Sequence, residues 1–245
     1  MILIGTSGWS YPHWRDLFYP RELKPSEYLL HYCRHFSTVE VNSTFYHLPQ
    51  PKTVANWLDK PPAGFTFSLK ASRYITHQLK LRDCRQPVSA FLERISPLQD
   101  KTAAILWQVP PSLHRDDSLL HDFLRALPPA FKHVLEVRHQ SWLDQEVFHI
   151  CQEAAVCFCS ISLPGFPPVA VSTAPFGYVR MHGPSTLYSS DYSEQELQEW
   201  AGRILELASK ADPVLVYFNN DIGGFAVRNA LRLREILSQR GLNVK

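Results

Sequence analysis

No apolar run in the 245 residues approaches the roughly 18 that a membrane-spanning helix needs, so no membrane partner is expected. The opening stretch, MILIGTSGWSYPHW, has no basic residue ahead of its short apolar run, and Trp and Pro soon interrupt it. It does not read as a signal peptide, and a cytoplasmic location is expected. Cysteine is sparse: Cys33, Cys84, Cys151, Cys157 and Cys159 are odd in number and lack C-x-x-C spacing, which argues against a zinc ribbon and for reduced core thiols. Charge of one sign is not in excess either. With 25 Lys and Arg against 23 Asp and Glu, the net charge of +2 announces no polyanion partner, so any such partner must be recognised locally. Repeats, low-complexity tracts and linkers are also missing, and residues 1–245 read as one domain. The GTSGW segment lacks the second glycine of G-x-S-x-G after Ser7. It therefore reads as a tight turn with backbone N–H groups available to an anion, not as a nucleophile elbow.

What the chain has is apolar material, 45% of its residues against 20% charged, enough for a real core. Short runs rich in β-branched and aromatic residues fall at 1–5, 37–42, 65–70, 103–108, 133–138, 156–162, 177–182 and 214–219. Between them lie helical patterns at 26–35, 53–58, 87–99, 116–126, 142–154, 193–210 and 223–240, with Ser193 and Glu196 spaced as a capping box. Segment 163–176 is broken by four prolines, which predicts a loop where a helix would otherwise follow the sixth strand. Alternation of this kind is the signature of a parallel sheet covered by helices, and eight strands in this length fit an α/β fold of the TIM type, a (β/α)8 barrel.

Side chains two apart share one face of a strand. On that rule Glu40 and Asn42 lie together, as do Thr66, Ser68 and Lys70, then Glu136 and Arg138, Arg180 and His182, and Tyr217 with Asn219. The opposite faces, such as Val39 and Val41 or Val179 and Met181, are apolar and suited to covering helices. The polar faces are therefore expected to point inward and to line a cavity at the strands' C-terminal ends. Lys70, Arg138 and Arg180 outnumber Glu40 and Glu136 by one charge. An odd positive charge invites an anionic ligand, although a structural ion-pair network plugging the fold is the competing reading.

GTSGWSY with WRDLFYP, FSTVEVNSTFYHLP, FSLKASRYITH, QVPPSL, LEVRHQSW, YVRMHG and VYFNND occur in an order that resembles the YecE-like family, also called domain of unknown function 72. The resemblance implies a TIM-type barrel and supplies no established activity. Pro184 stands where relatives carry a basic residue, so no phosphate contact is carried over to that position.

For chemistry, Glu40, Glu136 and His182 are the acid–base candidates, and Asn42, Lys70, His77, Arg138, His139, Arg180, Asn219, Asn220 and Asp221 the candidates for substrate contact. Fixed cations aimed at developing negative charge lower barriers, so the expectation is an uncharacterised protein that binds, and in its enzymatic version hydrolyses, a phosphorylated or other anionic substrate. Glu40, Glu136, His139, His182 and Asp221 are also permissible divalent-metal ligands, but the interleaved Arg and Lys argue against a dense cation cluster, and no metal ligand is assigned. Trp9, Tyr11, Tyr46 and Tyr188 in the loops offer stacking surfaces, as do Trp14, Phe45 and Trp142, unless they simply pack the loops down. A non-catalytic nucleotide or nucleic-acid binding module using the same loops is the alternative.

Overall fold

The computed structural model covers residues 1–245 and alternates strand with helix along the chain. The strands are β1 (Ile2–Thr6), β2 (Thr38–Val41), β3 (Thr66–Lys70), β4 (Thr102–Gln108), β5 (His133–Glu136), β6 (Cys157–Phe158), β7 (Ser160–Ser162), β8 (Gly177–Met181) and β9 (Val214–Phe218). All pair in parallel, in two sheets: β1-β9-β8-β7, and β2-β3-β4-β5-β6. The expected single run of eight strands thus appears as a four-stranded and a five-stranded sheet. The reason is local: the run 156–162 breaks at Cys159, and β1 meets β2 only through an isolated bridge between Ser7 and Glu40.

The helices are α1 (Tyr28–Tyr32), α2 (Ser43–Tyr46), α3 (Pro51–Asp59), α4 (Arg85–Ile95), α5 (Asp117–Arg125), α6 (Gln145–Glu153), α7 (Glu194–Ala208) and α8 (Phe225–Gln239). Side-chain caps set several starts: Asp116 accepts from Leu119 N, Asp144 from Glu146 N, and Ser193 with Glu196 closes the expected box. The helix expected over 26–35 is shorter, while α2 and a wide single turn at Tyr74–Gln78 have no counterpart in the sequence pattern. One turn contains no repeat of a 3.6-residue pattern, so periodicity cannot announce it.

Segment 163–176 is irregular, as its prolines dictate. Its backbone is tied down by Thr173, whose Oγ1 accepts from Phe158 N at 2.8 Å and donates to Val156 O at 2.7 Å.

Both faces of the strands are buried, which parallel sheets require. One face, with Val39, Val41, Phe67, Leu69, Val179 and Met181, joins helix residues in the larger apolar core. The other forms a smaller core of Leu3, Leu106, Val134, Cys157, Tyr178 and Leu215 with their neighbours. Above it a hydroxyl layer begins: Tyr217 OH lies 2.6 Å from Thr38 Oγ1 and 2.9 Å from Ser68 Oγ.

All five cysteines are free thiols, four of them buried and Cys33 half-buried. Burial pushes the Cys33 and Cys151 thiols up to about 12, so little thiolate exists at neutral pH. Ellman titration should find five thiols in denaturant and at most one, slowly, in the native protein. Three or fewer in denaturant would contradict this reduced state.

Candidate functional site

Period two places Glu40, Glu136 and Arg180 on facing strands, and their atoms meet. Arg180 NH2 donates to Glu40 Oε1 and its NH1 to Glu136 Oε2, both at 2.6 Å, so one guanidinium bridges the two sheets. Glu40 is completed by Ser7 Oγ at 2.7 Å on Oε1 and Tyr178 OH at 2.7 Å on Oε2. Arg138 Nε donates to Glu136 Oε1, and Arg138 NH2 reaches His182 Nε2 at 2.9 Å. Arg180, Glu40, Glu136 and His182 are each 0% exposed. Two carboxylates therefore face two guanidinium groups, and the buried layer is charge-balanced.

The protonation states follow. Burial alone would raise Glu136, but the Arg138 and Arg180 charges, with the His182 hydrogen bond, hold it well below the usual carboxylate range. Burial lowers Arg180, and the two glutamates outweigh that and keep it charged. Burial and the Arg138 and Arg180 charges drive His182 well below its ordinary value, so the imidazole is neutral. The Asn219 amide nitrogen lies 3.1 Å from His182 Nδ1.

Lys70 is the surplus cation. It ends β3, forms no ion pair, and has its Nζ 4.0 Å from the Phe45 ring centroid. Burial, then the repulsion of Arg180, brings its ammonium down to about 7, with Glu136 and Glu40 opposing and Arg138 adding to the fall. At neutral pH it is about half charged.

A cavity of about 700 Å³ opens over this corner of the fold, at the C-terminal ends of β1, β2, β3, β8 and β9. Lys70, Asn42, Asn219 and Asp221 line it, together with Ser10, Ser43 and the aromatic rings of Trp9, Tyr11, Tyr46, Trp57 and Tyr188. Asn42 Oδ1 is buried without a partner. Burial raises the Asp221 carboxyl, opposed by a backbone hydrogen bond and by His13, whose Nε2 lies 3.4 Å from Oδ2. Gly8 is glycine for cause: its φ is +94°, and a Cβ would lie 2.6 Å from Tyr11 OH.

Of the residues named from sequence, then, Asn42, Lys70, Asn219 and Asp221 reach the cavity wall. Glu40, Glu136, Arg180 and His182 lie in the sealed layer, and Arg138 is tied into it. His77 stands behind Phe45, at 4.9 Å between centroids, and burial with the Lys70, Arg73 and Arg138 charges lowers it to about 4. His139 stacks on His114 at 3.8 Å and accepts from Ser141 N, away from the cavity. Asn220 anchors α8, donating to Asn229 Oδ1 at 2.8 Å. The five permissible metal ligands are not gathered, and no group of three His, Cys, Asp or Glu side chains converges.

One further expectation is corrected, and the aromatics of the loops divide between wall and packing. The Ser7 and Gly8 N–H groups are spent on Phe218 O and Glu40 O, so that turn does not offer them to an anion. Trp14 and Trp142 are buried, their indole N–H groups bonded to Asp221 O and Leu113 O, and serve to pack loops. Thr53 and Trp57, on α3, escape a sequence reading because a helix outside the sheets carries no strand-face signal. Tyr178 is legible, two residues ahead of Arg180 on the same face.

The comparisons with known proteins agree with one another. A family model described as "Protein of unknown function DUF72" matches residues 3–245. UPF0759 protein YecE of Escherichia coli strain K12 is 38% identical over 140 residues, which is 57% of this chain and 49% of that protein. The match thus spans about half of that relative's length. UPF0759 protein YunF of Bacillus subtilis strain 168 is 26% identical over 275 residues, covering 97% of this chain and 95% of the relative. A solved structure of a DUF72 family protein from Thermotoga maritima MSB8 superposes with a TM-score of 0.88 at 29% identity, covering 97% of this chain and 99% of its own. One from Enterococcus faecalis V583, at 22% identity and TM-score 0.86 over 97% and 96%, shares the fold.

Proposed function

Because the chain belongs to the DUF72 family, which is defined by sequence and carries no assigned reaction, we propose its function from its own geometry: it binds a small anionic ligand, such as a phosphate ester, in the cavity against Lys70. The observation that carries this reading is the position of the unpaired cation. The other strand-borne charges are neutralised in the layer beneath and Asp221 stands beside His13, while Lys70 stands on the cavity wall without a counter-ion. Asn42 and Asn219 supply uncharged hydrogen-bond partners, and Trp9, Tyr46 and Trp57 supply apolar surface for the rest of the ligand.

In this reading the two sheets act as one closed eight-position barrel, with β6 and β7 as one interrupted strand. That is supported by the Ser7–Glu40 bridge and by the bridging Arg180 guanidinium. The whole chain works as one unit with its ligand end at the strands' C-terminal ends. Glu40, Glu136, Arg138, Arg180 and His182 are positioning residues. Their balanced charges fix the floor, and the Arg180 and Arg138 charges tune Lys70. Hydrolysis of a phosphoester is the reaction class we attach to the site, with Asp221, the one cavity carboxyl, exchanging the proton. A nucleotide or nucleic-acid ligand is the second reading, favoured by Tyr46 and Tyr188, which are 60% and 37% exposed at the rim.

Thermal melts with inorganic phosphate test the reading. Phosphate should raise the Tm at about pH 6, where Lys70 is charged, and lose most of that effect by about pH 8.5. A nucleoside monophosphate should add to the shift, and a single-stranded oligonucleotide should exceed both only if the second reading holds. No shift with any of the three at about pH 6 would remove the anion site.

A further inference from the structure

Lys70 has a second property, which anion attraction does not use. Its Nζ rests against the Phe45 ring, has no carboxylate within ion-pair distance, and opens on the cavity, because Arg180 and Arg138 have taken the glutamates that would otherwise hold an ammonium. A lysine kept dry beside other cations is the usual setting of an amine nucleophile. We propose that Lys70 is a carbonyl-reactive amine, and that the substrate class of the cavity is a small anionic aldehyde or ketone held as an imine on Nζ. This rests on the anionic-ligand reading above and narrows it.

The step balances without a co-reactant. The Nζ lone pair attacks the carbonyl carbon, and the carbonyl π pair moves to oxygen. That oxygen takes one proton from nitrogen to give the carbinolamine. The C–O bond then breaks as the Asp221 carboxyl protonates the departing oxygen, water leaves, and nitrogen's second proton returns to the carboxylate, leaving C=N. Burial holds the Asp221 acid above its ordinary value, which favours the proton-bearing form this step requires. Asn42, Ser43 and Asn219 line the same cavity and supply partners for the hydroxyls of such a substrate.

One residue then gives two opposite pH profiles. Anion attraction needs the ammonium and imine formation needs the free amine, so the first falls and the second rises through about 7. Burial sets this midpoint first, then Arg180 on β8, Glu136 on β5, Glu40 on β2 and Arg138 beyond β5; His77 beyond β3 also faces Lys70, whose charge lowers it. An ordinary lysine is only about one part in 2,500 free amine at pH 7.

The test uses the intact protein, glycolaldehyde phosphate and pyruvate as probes, and sodium cyanoborohydride to trap the imine, with peptide mapping by mass spectrometry. Lys70 should carry the adduct at least about ten-fold ahead of any other lysine near pH 7, with labelling that rises to a plateau by about pH 8 while surface lysines continue upward. Excess inorganic phosphate should suppress it. Labelling spread evenly over the lysines, or Lys70 following the surface lysines' pH curve, would overturn the proposal. Phosphate melts on the unlabelled protein read the anion site separately: a phosphate shift without selective labelling leaves that reading standing and sinks the imine, whereas loss of both sinks both.

Discussion

Arg180→Ala should destabilise the protein by on the order of 3–5 kcal/mol, enough to unfold many domains of ordinary stability. The mutation removes the one group that neutralises Glu40 and Glu136 together, leaving two fully buried carboxylates with a single guanidinium between them. Its expected rescue distinguishes charge stranding from simple loss of packing. Adding Glu40→Gln to Arg180→Ala should recover part of the loss, because the amide is neutral and its oxygen still accepts from one of the Ser7 and Tyr178 hydroxyls while its NH2 donates to the other. Urea unfolding of wild type, each single variant and the pair measures this. Additive losses in the pair would mean that the network is held by packing and not by charge.

Lys70→Met should act in the opposite direction. The folded-state value of about 7 lies below the ordinary lysine value near 10.4, so between those limits the unfolded chain binds more protons than the native one. Stability of the wild type therefore rises with pH across that window, and the penalty is fully present below about 7. Removing the amine should raise stability at about pH 6 by about 1–2 kcal/mol, allowing for solvent at the cavity wall, with the gain shrinking toward pH 10. The same variant should lose the phosphate-dependent rise in Tm. Parallel stability curves for the two proteins across pH 6 to about 10, with the phosphate shift intact, would show that Lys70 is neither strained nor the anion's partner.

Much of this layer is legible in the sequence. Alternation alone puts Glu40, Ser68, Glu136 and Arg180 on one side of their strands and Val39, Leu69 and Val179 on the other, because the strand repeat is two residues and helices demand apolar faces. The height of each residue is not legible. Whether Arg180 ends level with Glu40 and Glu136, or above them, depends on the stagger between strands on opposite sides of the fold, and no single strand encodes that. The charge count points to a surplus of one positive group. Only the pairings across the interior show that the surplus is Lys70 and that the arginines are consumed. The two-residue rule puts Arg138 on the face of Glu136 but does not show that it folds back from beyond the last β5 residue onto Glu136 Oε1. Short elements such as α2 stay hidden for want of length.

The cavity draws its walls from the ends of β1, β2, β3, β8 and β9 and from α3, while the ends of β4 to β7 contribute nothing to it. The residues that shape the cavity rim and the residues of the buried charge layer consequently occupy different positions. Tyr46 and Thr53 can be exchanged to reshape what fits without disturbing a single buried charge, whereas the neighbouring Val54 and Trp57 also belong to the apolar core. The Glu40, Glu136 and Arg180 triad has no such freedom, since Arg180 binds both glutamates and is neutralised by both. A lineage built on this scaffold would diversify its ligands along the first third of the chain and keep its interior unchanged.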